Sequence, residues 1–118
     1  MDIEKFREYC LSLPGVTEEF PFGETTLVFK VMGKVFTLTD LELFEFINLK
    51  CDPEEAVELR ERYEGVTPGY HMNKKHWNSV SMDSGISNKL ILEWTKNSYD
   101  LVVKSLPKKV REALQSQQ

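Results

Sequence analysis

The segment TLVFKVMGKVFTLTDLELFEFINLK, residues 26–50, decides the fold. Residues 26–32 alternate, with Leu27, Phe29 and Val31 set against Val28, Lys30 and Met32, and this period of two predicts a strand. Gly33-Lys34 suits a two-residue hairpin turn, because a glycine in the first central position takes positive φ without strain. Residues 35–39 and 44–50, rich in β-branched and aromatic side chains, predict the next two strands.

Helical patterns lie on either side of this β block. Ile3, Phe6, Cys10 and Leu13 recur at helical spacing behind Asp2, a good N-cap, so residues 3–12 predict a first helix ended by Pro14-Gly15. Residues 16–24 read as a loop containing the turn-like Phe20-Pro21-Phe22-Gly23. Beyond the block, Asp52-Pro53-Glu54-Glu55 is a strong helix start: Asp52 caps, Pro53 fits the first turn and Glu55 sits at the capping-box position. Ala56, Leu59 and Tyr63 form its inward stripe to about Glu64, Glu58–Arg62 is an i,i+4 pair, and Gly65 fits a C-terminal stop. Ser87 caps a long third helix with Ile91, Trp94, Ser98, Leu101 and Val102 inward, and Leu106-Pro107 separates it from a short last one. A second hairpin pairing 69–72 with 76–82 puts Lys74-Lys75 at its tip, as Gly33-Lys34 caps the first. The order α-β-β-β-α-β-β-α predicts an α+β fold over a single domain, 1–118, with a mainly antiparallel sheet of about five strands.

With 41% apolar and 11% aromatic residues among 118, the chain has enough material for one compact core. No apolar run approaches the roughly 20 residues of a membrane helix, and the acidic Met1-Asp2-Ile3-Glu4 start is unlike a signal peptide, so a cytoplasmic protein without membrane partners is expected. Cys10 and Cys51 then read as core thiols rather than a disulfide. The net charge of −4 is uneven: residues 1–64 hold 7 basic against 15 acidic side chains, residues 65–118 hold 8 against 4.

The chemistry concentrates in residues 67–80, Thr-Pro-Gly-Tyr-His-Met-Asn-Lys-Lys-His-Trp-Asn-Ser-Val, which hold both histidines. His71 and His76 are five apart, which suits neither one helix face nor one strand face, and no carboxylate lies between Pro68 and Met82, so no metal is expected. Neither cysteine has a sequence neighbour to activate it, and no glycine loop of the phosphate-cradling type occurs, so neither a catalytic constellation nor a cofactor is expected. Nucleic acid fits better. Lys34, Lys74 and Lys75 offer charge to phosphate, Asn73 and Asn78 offer hydrogen bonds, and Tyr70, His71, His76 and Trp77 can stack on bases. Two rivals remain: a protein-interaction or chaperone-like module, suited to the acidic first half, and a small-ligand or enzyme pocket lined by Tyr70, His71, His76 and Trp77.

Asn48-Leu49-Lys50-Cys51-Asp52-Pro53 and the long Val66–Asn78 motif resemble the MmcQ/YjbR family, as do Leu13–Glu18, Phe20-Pro21-Phe22-Gly23 and Leu106-Pro107-Lys108-Lys109. The resemblance spans nearly the whole chain. It implies a YjbR/CyaY-like α+β fold, similar to bacterial frataxin and secretion chaperones, and DNA binding through a double-wing shape by a non-enzymatic module. Carried onto this sequence, the motif points to Tyr70, His71, Asn73, Lys74, Lys75, His76, Trp77 and Asn78. The frataxin likeness also raises iron binding, but Lys5 and Arg7 interrupt Asp2, Glu4 and Glu8 on the first helix, so an acidic iron ridge is not expected.

Overall fold

A computed structural model describes residues 1–116. The fold is α+β: one six-stranded antiparallel sheet with helices packed against it. In chain order the elements are α1 (Ile3–Ser12), β1 (Val16–Glu19), β2 (Thr26–Val31), β3 (Lys34–Asp40), β4 (Phe46–Lys50), α2 (Pro53–Arg62), β5 (Val66–Pro68), β6 (Trp77–Ser81), α3 (Asn88–Ser105) and α4 (Lys108–Gln115). The strands lie side by side as β1-β2-β3-β4-β6-β5.

Both ends of the sheet are short strands. β1 falls where a loop was expected, since Val-Thr-Glu-Glu has no apolar alternation to reveal it. It is an edge strand, and its charges keep that edge from pairing with another chain. Glu18 accepts two hydrogen bonds from the Arg7 guanidinium, at 2.7 and 3.0 Å, which ties α1 to the edge, and Glu19 meets Lys30 at 3.3 Å. β5 has three residues and ends at Pro68, as an edge strand can.

The first hairpin is shifted by one residue from the sequence reading. Val31 pairs with Lys34, so the turn is Met32-Gly33, with φ of 49° and 87°. Two positive φ values in a two-residue loop match the twist of the flanking strands, and Lys34 becomes the first strand residue. The stop of α2 also differs. The helix ends at Arg62 with Tyr63 extended, and Gly65 stays outside the left-handed region. Glycine is needed at 65 because a Cβ there would collide with the Ser84 side chain. Arg62 lies 6.0 Å from the Tyr63 ring rather than bonding Glu58.

Strand alternation gives the sheet two unlike faces. Leu27, Phe29, Val31, Ile47, Leu49 and Val80 point to the helices and form the core with Phe6, Cys10, Ile91, Tyr99 and Val102. A bulge in the β2–β3 pairing leaves Phe36 beside Thr37 opposite Phe29, so the Phe36 carbonyl needs a partner outside the ladder. The buried Ser98 hydroxyl of α3 donates to it at 2.5 Å and accepts from the Lys50 amide at 2.8 Å. Ser98→Ala strands both backbone groups at once. A loss of about 2 kcal/mol is expected, read from the midpoint of urea unfolding at unchanged slope; an unaltered midpoint would mean the bulge is satisfied in another way.

Candidate functional site

The other sheet face, carrying Val28, Leu38, Phe46, Asn48 and Ser79, is covered by loops rather than helices. After β5 the chain does not continue as a strand through Met72. Gly69 donates to the Trp77 carbonyl at 2.9 Å, and residues 70–72 fold back over the open face. Gly69 is required there, since a Cβ would sit 2.8 Å from the Trp77 Cβ. His71 takes a φ of 57°, in the left-handed region, where the backbone reverses. The second hairpin is therefore β5–β6, pairing Val66 with Val80 and Pro68 with Asn78, and residues 69–76 form an eight-residue loop.

The loop separates the candidate residues into two sets. Tyr70 is 59% exposed. Its ring meets Phe46 edge-on at 5.7 Å and lies 4.0 Å from the His71 ring, which is also exposed. Lys75 is exposed beside Pro53 and Val57 of α2. The other residues mainly hold the loop together. The Asn73 carboxamide oxygen accepts from the Lys75 and His76 amides, and Lys74 Nζ donates to the Gly69 carbonyl at 2.9 Å. The His76 carbonyl accepts from the Cys51 amide, fastening the loop to the end of β4. Trp77 is half-buried and pairs with Lys50. Asn78, expected to face a ligand, points to the helix side and is 2% exposed. Its Oδ1 accepts from Arg60 Nε at 2.6 Å and its Nδ2 donates to the Ala56 carbonyl at 3.3 Å.

Arg60 is the residue the sequence reading passed over. Besides Asn78, its guanidinium donates to the Lys74 carbonyl and, at 3.4 Å, to the Trp77 carbonyl. One side chain from α2 thus holds both the root of β6 and the tip of the loop. The only signal was an arginine within a glutamate-rich helix, which reads as surface charge balance.

Lys34 is not brought to this loop; β4 stands between β3 and β6. The two histidines part as well. A cavity of about 460 Å³ on the open face is bordered by Tyr70 and His71 but not by His76 or Trp77. Among the described residues no cluster of three or more His, Cys, Asp or Glu could hold a metal ion, and no helix is long and apolar enough to cross a membrane. Both cysteines are free thiols. Burial drives the Cys10 thiol far up, and burial, with Glu55 and Asp52 nearby, pushes Cys51 up to about 11. Neither is a ready thiolate at neutral pH.

Together these features define a small α+β module that buries one sheet face under helices and presents the other between loops. The chain belongs to the YjbR family, whose model matches residues 11–101. It is 42% identical to the uncharacterised protein YbdF of Escherichia coli O157:H7 over 90% of this chain and 88% of that protein. It is 30% identical to the uncharacterised YjbR of Escherichia coli K12, over 97% and 98% of the two chains. The crystal structure of Deinococcus radiodurans protein DR2400, with a DUF419 domain, superposes with a TM-score of 0.90 at 38% identity, covering 96% of this chain and 87% of that one. A Pseudomonas syringae protein of 26% identity superposes at 0.73, covering 86% and 98%.

Proposed function

We propose that the chain is a non-enzymatic binding module of the cytoplasm that takes single-stranded nucleic acid on the 69–76 loop. The observation that carries this reading is the exposed Tyr70–His71 ring pair, held on a loop that Arg60 and Asn73 brace from within. Exposed rings on a sheet face are stacking platforms for unpaired bases, and rigid presentation lowers the ordering cost of binding. Lys75, exposed in the same loop on its α2 side, is the cation that meets phosphate, and the Lys74 ammonium adds charge while bonded to the Gly69 carbonyl. Glu45 and Glu64 near Tyr70 oppose phosphate on that side, so a strand lies with its bases toward the sheet and its backbone toward Lys75. A duplex, whose bases are already stacked, gains little from this arrangement.

With so few cations the salt dependence is small. For labelled oligothymidylate, the slope of log affinity against log salt is expected at about −1.4, because two lysines neutralise about two phosphates. Lys75→Ala reduces the slope by about 0.7. Tyr70→Ala weakens binding about tenfold and leaves the slope unchanged, since stacking releases no counterions. Fluorescence anisotropy over a salt series measures all three, and no saturable binding at low salt would end this reading.

A further inference from the structure

We infer that the cavity on the open sheet face is a site for a small, uncharged, planar heteroaromatic molecule carrying a hydrogen-bond acceptor. Its volume of about 460 Å³ lies within the roughly 300–1,000 Å³ of small-molecule sites. Phe22 and the Tyr70–Met72 backtrack border it, with Leu38 and Phe46 of the sheet between them. Phe22, in the β1–β2 connection, is 75% exposed and stands at the border of the cavity.

Thr26, Thr39, Asp40 and His71 also border the cavity, and the carboxamide among these polar groups is that of Asn48, which is 3% exposed. Its orientation follows from a relay of hydrogen bonds. The Tyr70 amide donates to Ser79 Oγ at 2.9 Å, so the Ser79 hydroxyl is free to give its own proton to Asn48 Oδ1, at 2.5 Å. The oxygen end of the carboxamide takes the Ser79 proton, and the Nδ2 end, a donor with no protein partner among the described residues, keeps contact with the solvent of the cavity. A ligand that supplies a carbonyl or ring nitrogen takes the place of water on this donor. Asp40 stands in the same lining and would repel an anion. Aromatic walls select a flat ring system, the amide selects an acceptor, and the carboxylate excludes negative charge.

The relay also links the site to the loop, because the Tyr70 amide that orients Ser79 belongs to the same backtrack that borders the cavity. The inference does not depend on nucleic-acid binding, and its test contains no nucleic acid. The full chain, labelled with ¹⁵N, is titrated with three bicyclic probes: 1-methyl-2-quinolone (neutral, with a carbonyl), 1-methylindole (neutral, without one) and 2-naphthoate (anionic). The quinolone is expected to move the Asn48 side-chain amide resonances saturably, with Kd at or below about 2 mM for its dozen heavy atoms. 1-Methylindole binds about fivefold more weakly without moving that amide, and the naphthoate binds more weakly than the quinolone. Phe22→Ala, at a position too exposed to endanger folding, weakens quinolone binding about fivefold. Asn48→Leu removes the preference for the quinolone over 1-methylindole. A static Asn48 amide at saturation, affinity that Phe22→Ala leaves unchanged, or no binding by any probe overturns the assignment.

Discussion

Phe6→Ala is expected to lower the unfolding free energy by about 3–5 kcal/mol, the usual range for emptying a buried phenyl site. Phe6 is fully buried. It lies edge-on to Phe29 of β2 at 6.0 Å and tilted on Phe44 at 5.7 Å. One ring therefore joins α1, the sheet and the β3–β4 connection. The cavity cannot close easily, because α1 is held to β1 by the two Arg7–Glu18 hydrogen bonds and cannot simply slide inward. Phe44 adds to the cost. Its φ of 43° places a bulky residue in the left-handed region, maintained by the Asp40 turn, whose carboxylate accepts from the Glu42 and Leu43 amides, and by contact with Phe6. Without Phe6, that strain loses one of its restraints. Denaturant titration should give a lower midpoint with an unchanged slope. Phe22→Ala, the same chemical change at a ring 75% exposed, should stay within about 0.5 kcal/mol. If the two variants came out alike, the division into a helix-covered face and an open face would be wrong.

What could be read from the sequence was whatever a local pattern encodes. The alternation through Leu27, Phe29 and Val31 placed β2, and Asp2, Asp52 and Ser87 each cap the helix their position announced, with side chains accepting from Lys5, Glu55 and Leu90 amides. The inward side of α3 was legible at Ile91, Ser98 and Val102; Thr95 and Tyr99 complete it, Trp94 and Leu101 being only half-buried. β1 was not legible, because an edge strand of four residues takes its charges from the need to avoid self-pairing. The turn at Met32-Gly33 was misplaced by one residue because a methionine at positive φ leaves no sequence mark.

The candidate site shows the same boundary between local and long-range information. Residues 67–80 were identifiable as the chemically dense segment, since that is a statement about composition. Which of them face outward was not. Tyr70 and His71 are exposed, while Asn78, only a few residues on, is buried because β6 alternates and its helix side lies beneath α2. Phe22 and Asn48 reach the same cavity from parts of the chain 26 positions apart, and no spacing rule connects them. The pairing of β2 with β3 and of β3 with β4 does, by setting Val28, Leu38 and Asn48 side by side on the face next to the β1–β2 connection.

Arg60 carries the second large effect, and it separates a positioned loop from one that is merely present. Arg60→Leu keeps the aliphatic stem and removes every donor. Asn78 Oδ1, in a side chain 2% exposed, then loses its partner and the Lys74 carbonyl loses its Arg60 bond, while the Trp77 carbonyl gives up a 3.4 Å contact but keeps the Gly69 amide. Hydrogen bonds from a charged donor are stronger than neutral ones, but the Lys74 end is solvated, so a loss of about 3 kcal/mol is expected rather than the sum of three. Arg60→Lys should recover only part of this, because one ammonium on a flexible stem cannot span the carboxamide and two carbonyls that a planar guanidinium reaches together. Hydrogen exchange gives the local readout. The His76 and Trp77 amides, which donate to the Asn73 carbonyl, should exchange faster in Arg60→Leu, while Val28 and Phe29 in β2 change only in proportion to global stability. Uniformly faster exchange would make Arg60 a general stabiliser. Faster exchange confined to the loop would make it a positioning residue, and then Arg60→Leu must also weaken oligothymidylate binding at temperatures where the sheet is fully folded, because Tyr70 and His71 no longer have a fixed base beneath them.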